Sequence, residues 1–194
     1  MKHILYLHGY NGSLTTAKRA ILERYGNVAA PAIAYDKPDY FKKLIDLANT
    51  ADVIIGSSFG GHTAHLLSLL YDKPALLFNP AFVTKSPVPD LNGLAIPVYK
   101  SSHTFIVLGK QDHVILYNDN LEFVSGKLNV ADVRIVKVDG LGHRIPEEVF
   151  EEQVVEFWED CSVFPLTCKG IAYYISAKST NIFSSGSSSC PLIQ

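Results

Sequence analysis

The sequence predicts an α/β fold, a three-layer sandwich in which a mainly parallel sheet lies between two layers of helices. Six short apolar runs alternate along the chain with segments of helical periodicity, which is the pattern of successive βαβ units. The runs are continuous, as expected for strands that are buried on both faces. The chain has 194 residues, a length that suits a single domain.

Each predicted strand is paired with a predicted helix or a long connection. The apolar runs place strands at residues 4–7, 28–32, 53–55, 75–78, 104–108 and 133–138. The spacing of apolar residues places helices at 14–25, 38–48, 59–70, 121–128 and 146–158. Ser13 is suited to cap the first helix and Gly26 to end it, and Pro38 fits the first turn of the second.

The composition changes near residue 160. We expect residues 1–160 to form the folded domain, because no Asp or Glu follows Asp160. Residues 161–194 are expected to form an appendage, flexible around the serine-rich stretch at 184–189 and with a possible extra strand at 171–175. Residues 80–102 contain four prolines without clear periodicity, which predicts a long loop in the position of a lid.

The overall composition excludes several classes of protein. Hydrophobic residues make up 47% of the chain and charged residues 19%, as in a folded globule. A net charge of -2 argues against a nucleic-acid partner, and the apolar runs are too short for a signal peptide or a membrane span. The three cysteines all lie at or beyond Cys161, which favours a reducing compartment, so we expect a cytoplasmic protein.

The most informative motif is Gly56-Ser57-Ser58-Phe59-Gly60. It matches the G-x-S-x-G nucleophile elbow, with a predicted strand directly before it and a predicted helix directly after it. A sharp strand-to-helix turn lifts the serine hydroxyl above the sheet, and the positions two before and two after the serine must be small. Gly56 and Gly60 fill those positions and make Ser58 the predicted nucleophile.

The neighbouring Ser57 is the rival nucleophile. A shift of the motif by one position would place Ile55 and Phe59 where small residues are needed, so the geometry favours Ser58.

A serine nucleophile needs a base, and the base needs an orienting acid, in the chain order serine, acid, histidine. His143 lies in a glycine-rich loop after the last predicted strand, and Asp112 lies in the loop after the strand at 104–108. Asp139 is the alternative acid and His113 the alternative base. The other histidines fit worse, because they precede the serine, lie on the following helix or begin a strand: His3, His8, His62, His65 and His103.

Two backbone N–H groups are candidates for an oxyanion hole. That of Phe59 lies at the start of the helix after Ser58, where the helix dipole is positive. That of Tyr10 follows a His-Gly pair after the first strand, where glycine allows the chain to approach a substrate closely.

Several short motifs together resemble the YqiA-like family of small bacterial esterases in the α/β-hydrolase superfamily. The resemblance covers residues 1–158 and departs from the family pattern at His62, where an aromatic residue is expected. It implies a minimal α/β-hydrolase fold without the first antiparallel strands, activity on short acyl esters, and the roles of nucleophile, acid and base for Ser58, Asp112 and His143. The motifs are His8-Gly9-Tyr10-Asn11-Gly12-Ser13, Gly56-Ser57-Ser58-Phe59-Gly60-Gly61, Phe78-Asn79-Pro80-Ala81, Asp112-His113-Val114 and Gly142-His143.

The sequence therefore predicts a serine esterase that acts on a small-molecule ester and needs no metal or organic cofactor. His62 and His65 have helical spacing, but no cluster of Asp, Glu or Cys accompanies them, so a zinc site is not expected. Three alternatives stay open: a thioesterase or amidase on the same fold, a hydrolase-shaped binding protein without catalysis, and an FMN-binding module. The last would need a phosphate-binding loop after the first strand, and residues 10–13 are a poor version of one.

Overall fold

The computed structural model describes residues 1–84, 89–97, 102–128 and 132–163, all of which lie in one compact unit, Met1–Phe164. Their strands form a single six-stranded sheet of order β2-β1-β3-β4-β5-β6, in which every neighbouring pair is parallel. The strands are β1 (Lys2–Leu7), β2 (Gly26–Ala29), β3 (Val53–Ser57), β4 (Ala75–Phe78), β5 (Thr104–Gly109) and β6 (Val133–Val138).

In the described part of the chain, five helices cover this sheet. They are α1 (Thr16–Glu23), α2 (Ile45–Thr50), α3 (Phe59–Tyr71), α4 (Tyr117–Lys127) and α5 (Glu147–Val163), and a short 3-10 turn at Lys42–Leu44 leads into α2. Helices α2, α3 and α4 pack into one hydrophobic core on one face of the sheet, and α1 and α5 pack into a second core on the other face. The predicted three-layer α/β architecture is confirmed.

The strands supply alternate residues to the two cores. In β1, Leu5 and Leu7 face the core under α3, whereas Ile4 and Tyr6 face the core under α5. All four side chains are buried, because successive residues of a strand point to opposite faces and both faces are covered. This double burial explains the continuous apolar runs in the sequence.

The register brings three strand ends to one edge of the sheet. Leu7 of β1 lies beside Gly56 of β3, and Ser57 of β3 lies beside Phe78 of β4. The strand order changes direction between β1 and β3, and open parallel sheets bind ligands outside the carboxyl ends of their strands at such a switch point. The loops that follow β1 and β3 are therefore where a site is expected.

The first helix differs from its prediction at both ends. Its cap is Thr15, whose side chain accepts a hydrogen bond from the Lys18 N–H, so the predicted cap Ser13 is wrong. Gly26 does not end the helix; it begins β2, where a Cβ would collide with the Lys2 carbonyl. Glycine is required at position 26, but because β2 approaches β1 closely there and not because a helix ends there.

The second predicted helix, at 38–48, is mostly wrong. Pro38 lies in a series of turns, one of which is closed by the Lys37 N–H on the Ala34 carbonyl, and regular helix begins only at Ile45. The side chains of Tyr40 and Phe41 are buried in the core, and this long-range packing outweighs the local helical pattern.

The remaining helices occur where they were predicted, with different ends. Helix α3 matches closely, α4 begins at Tyr117 instead of 121, and α5 extends to Val163 instead of 158. The described parts of 80–102 contain no helix or strand, and in them Leu91 and Leu94 pack against the core under α3. The predicted strand at 171–175 and the appendage from 164 onward lie outside the described residues. None of the helices described is long and apolar enough to span a bilayer.

Candidate active site

Ser58 occupies a strained position between β3 and α3. Its φ of 55° and ψ of −121° lie in a region that residues other than glycine rarely adopt. A Cβ on Gly56 would collide with the Gly60 backbone, and a Cβ on Gly60 would collide with the Leu7 carbonyl. The two glycines thus let the strand, the turn and the helix pass as close together as the elbow motif requires.

Backbone hydrogen bonds hold this turn to β4 and to the residues that follow it. The Ser58 N–H donates to the Phe78 carbonyl at 2.9 Å, and the Ser58 carbonyl accepts from the Ala81 N–H at 3.0 Å and from the His62 N–H at 3.1 Å. The serine residue is 8% exposed, so most of it is buried by its neighbours.

His143 links the serine to a carboxylate. Its Nε2 lies 3.1 Å from Ser58 Oγ, and its Nδ1 lies 2.8 Å from Asp112 Oδ2. An ionised carboxylate can only accept, so the proton belongs on Nδ1, and Nε2 is left to accept from the hydroxyl. The structure therefore brings the three residues predicted from three separate loops into one hydrogen-bonded chain.

Asp112 is buried and heavily hydrogen-bonded. Its Oδ1 accepts from the N–H groups of Val114 at 2.8 Å and Ile115 at 2.9 Å, while Oδ2 faces His143. Burial acts to raise the pKa of this carboxyl, but the hydrogen bonds from His143, Ile115 and Val114 outweigh burial and hold the pKa below its ordinary value. The carboxylate is thus kept ionised beside the imidazole.

The rival residues lie elsewhere. Asp139 is exposed and forms an ion pair with Lys110 at 2.8 Å, and His113 is exposed. Neither contacts Ser58 in the hydrogen-bond network described above, so the geometry favours Asp112 and His143.

The loop after β1 lies against Ser58. A Cβ built on Gly9 would be 3.1 Å from Ser58 Cβ and 3.7 Å from Ser58 Oγ. The Gly12 N–H donates to the Gly9 carbonyl at 2.9 Å, and Asn11 has a φ of 52°, which makes residues 9–12 a tight turn of the type that needs a left-handed third residue. Tyr10 belongs to this turn, close to the nucleophile.

The other predicted oxyanion donor begins a helix. Phe59 is the first residue of α3, and the first N–H groups of a helix have no acceptor within the helix. The Phe59 ring also contacts the Tyr10 ring, with 5.8 Å between the centroids. The two candidate donors therefore lie on adjoining segments.

His8 has a structural role that the sequence did not indicate. Its Nε2 accepts from the Ile33 N–H at 2.9 Å, so its Nδ1 carries the proton and donates to the Gly9 carbonyl at 2.7 Å. The Tyr35 hydroxyl donates to the His8 carbonyl at 2.5 Å. These hydrogen bonds of His8 and the buried Tyr35 fix the glycine turn after β1.

His62 and His65 take part in packing. Their rings lie 5.8 Å and 5.2 Å from the ring of Phe82, and burial lowers the pKa of His62. Within the described ranges, no group of three or more His, Cys, Asp and Glu side chains is placed to hold a metal ion.

The fold is that of the α/β-hydrolases, and comparisons with solved structures agree. A protein from Xanthomonas campestris pv. campestris described as a hydrolase of the alpha/beta superfamily has a TM-score of 0.64 at 20% identity, over 82% of this chain and 99% of that one. Est1E from Butyrivibrio proteoclasticus with bound ferulic acid has a TM-score of 0.64 at 17% identity, over 84% and 90%. Esterase PE8 has a TM-score of 0.55 at 14% identity, over 81% and 92%.

A family model matches part of the chain. The model of UPF0227, described as an uncharacterised protein family, matches residues 3–95 and confirms the resemblance to the YqiA-like family, whose model it is. The matched range contains Gly9, Ser58 and Asn79. Asp112 and His143 lie beyond it, and their hydrogen bonds connect them to Ser58. None of the curated proteins compared with the chain matches it.

Proposed function

We propose that this chain is a serine esterase that hydrolyses short-chain carboxylic esters through an acyl-enzyme. The observation that carries the proposal is the hydrogen-bonded chain from Ser58 through His143 to Asp112 at the carboxyl edge of the sheet. The strained turn under Ser58 supports it, because such conformations cluster at functional sites. The names of the similar structures, which include an esterase and a hydrolase, point in the same direction.

In the first half of the proposed reaction, Ser58 Oγ attacks the ester carbonyl carbon while His143 Nε2 takes its proton. The negative charge that forms on the carbonyl oxygen is stabilised by the N–H groups of Phe59 and Tyr10. The tetrahedral intermediate collapses, the bond to the alkoxy oxygen breaks, and His143 returns the proton to the departing alcohol. The products of this half are the alcohol and an acylated Ser58.

In the second half, water replaces the alcohol. His143 takes a proton from the water, whose oxygen attacks the acyl carbon, and the same two N–H groups stabilise the new oxyanion. Collapse releases the carboxylic acid and restores the Ser58 hydroxyl with the proton held by His143. Throughout, Asp112 keeps the imidazole oriented and stabilises its charged form.

Exposed apolar side chains flank the triad and suit an ester with apolar groups. Tyr10 is 51% exposed, and Val114 and Leu116, which follow Asp112, are 66% and 52% exposed. A short acyl or alkyl group of the ester would contact these side chains in the proposed complex. We propose a small-molecule ester as the substrate and a cytoplasmic location, which is supported by the absence of cysteines before Cys161.

Hydrolysis of p-nitrophenyl acetate tests the proposal. Replacing the nucleophile, Ser58→Ala, should reduce kcat by roughly a millionfold, because the triad acts as a unit. Ser57→Ala is the matched control, since it removes a neighbouring hydroxyl of the same kind and should retain activity.

Two results would overturn the proposal. One is an S58A protein that remains as fast as the parent, and the other is a loss of activity in S57A alone. Acyl-thioester and anilide substrates run alongside show whether the same site prefers a thioester or an amide.

A further inference from the structure

Asn79 is a buried polar residue that the proposed mechanism does not use. It directly follows β4, is 1% exposed, and has a left-handed backbone with a φ of 40°. We infer that Asn79 is a positioning residue that fastens the acid loop to the base loop of the triad. This inference deepens the proposed function and rests on it.

The backbone around Asn79 ties it to the nucleophile turn. The Phe78 carbonyl, just before Asn79, accepts from the Ser58 N–H, and the Ala81 N–H, two residues after Asn79, donates to the Ser58 carbonyl. The Asn79 N–H donates to the Val107 carbonyl of β5 at 2.9 Å. Asparagine tolerates the left-handed backbone that this junction needs.

The side-chain oxygen of Asn79 holds the acid loop. Oδ1 accepts from the Gly109 N–H at 2.7 Å, and Gly109 is the last residue of β5. The Gly109 carbonyl in turn accepts from the Asp112 N–H at 3.1 Å, which closes the turn that carries the carboxylate. Asn79 therefore fixes the residue from which the Asp112 turn starts.

The side-chain nitrogen of Asn79 holds the base loop. Nδ2 donates to the Gly142 carbonyl at 2.9 Å and lies 3.4 Å from the His143 carbonyl. The orientation of the amide is settled by its partners, because a backbone N–H can only donate and a carbonyl can only accept. An amide satisfies both loops at once, whereas a carboxylate, which has no donor, does not.

This bridge matters because the triad is assembled from distant parts of the chain. Asn79 lies 30 residues before Gly109 and 63 before Gly142, and it is bonded to both. A shift of about 1 Å in catalytic geometry can cost on the order of a hundredfold in rate. One side chain that spans the two loops thus sets the distance from His143 to Ser58 as well as that from His143 to Asp112.

Two variants of Asn79 separate positioning from general stability. Asn79→Asp keeps the size, the acceptor and the tolerance of a left-handed backbone, but it sets an oxygen against the Gly142 and His143 carbonyls. Asn79→Gly removes the whole side chain without straining the backbone. Asn120→Ala is the matched control, because Asn120 is also 1% exposed and its Nδ2 donates to the Pro80 carbonyl at 2.9 Å, not to either loop.

The measurements are kcat and KM for p-nitrophenyl acetate and the low-field proton NMR signal of the His143 Nδ1–H in its bond to Asp112. We expect both Asn79 variants to lose at least about a hundredfold in kcat, with KM changed by less than about threefold, and to lose or broaden the NMR signal. N120A should keep the kcat and the signal of the parent.

The inference is overturned if folded N79D and N79G retain the parent's kcat and NMR signal, or if N120A loses both to the same extent. An inactive parent protein would refute the proposed esterase instead. In that case the NMR comparison still decides whether Asn79 positions His143 against Asp112, because the signal does not depend on turnover.

Discussion

At the scale of single residues, Ser58 combines an unfavourable backbone with a favourable set of partners. A non-glycine residue in such a conformation costs about 1–3 kcal/mol, which the surrounding structure must offset. Its N–H and carbonyl are both hydrogen-bonded, and its hydroxyl faces His143 at 3.1 Å. Hydrogen bonds keep Asp112 ionised in spite of its burial, so the Nδ1 side of the His143 imidazole faces a carboxylate anion.

The pH dependence of kcat/KM follows from this arrangement. A general base must be neutral to accept a proton, so kcat/KM should fall as the pH is lowered, with a limiting slope of about tenfold per pH unit for a single proton. Because the pKa of Asp112 is held below its ordinary value, its carboxylate stays ionised over this pH range and adds no second proton to the slope. A profile of p-nitrophenyl acetate hydrolysis from neutral pH to pH 5 measures this slope.

A steeper slope, near a hundredfold per pH unit, would mean that a second group such as Asp112 titrates in the same range. A rate independent of pH over that range would mean that His143 is not the base.

At the scale of elements, the site depends on how closely β3, α3 and β1 approach one another. Gly60 lies in the first turn of α3, where a Cβ would collide with the carbonyls of both Leu7 and His8. Those carbonyls belong to the end of β1 and to the segment that leads into the glycine turn. Any side chain at position 60 must therefore push the helix away from the strand and from the candidate oxyanion donors.

The variant Gly60→Ala tests this contact. It should destabilise the protein by about 1–3 kcal/mol, the usual cost of overpacking a filled site, and it should also lower esterase activity. Gly126→Ala is the matched control, because Gly126 is an exposed residue of α4 with open space around its Cβ position. That change should leave stability equal or raise it by about 0.5–1 kcal/mol.

Urea unfolding measures both free energies of unfolding. If G60A were as stable and as active as G126A, the close approach of α3 to β1 would not be needed for the fold or the site.

At the scale of the whole molecule, the sheet places three loops from distant parts of the chain at one edge. The loops after β3, β5 and β6 supply Ser58, Asp112 and His143, and the loop after β1 adds the glycine turn. Such convergence is a property of parallel sheets, whose strand ends with the same polarity lie side by side.

Most of the sheet could be predicted from the sequence because each buried strand leaves its own continuous run of apolar residues. Strands covered on both faces leave continuous apolar runs, and all six runs are strands in the structure, with ends that differ by up to three residues. The helix predicted at 38–48 failed because Tyr40 and Phe41 are drawn into the core by partners far away in the chain. Local periodicity carries no information about such packing.

The candidate triad could be named from the sequence because the elbow motif and the strand order restrict where each member lies. Asn79, His8 and Tyr35 could not be assigned roles in the same way. Their roles lie in hydrogen bonds to backbone groups up to 64 residues away, and no spacing rule in the sequence signals these bonds. The motif around Asn79 was visible, but its meaning depends on the assembled loops.

The central claim is that one hydroxyl, that of Ser58, is activated as a nucleophile by His143. Labelling the purified protein with a fluorophosphonate probe, followed by digestion and peptide mapping by mass spectrometry, tests it most directly. The account predicts one modified residue, Ser58, with labelling abolished in S58A and retained in S57A. Modification of Ser57 instead, or a folded protein that takes up no probe while still hydrolysing esters, would contradict it.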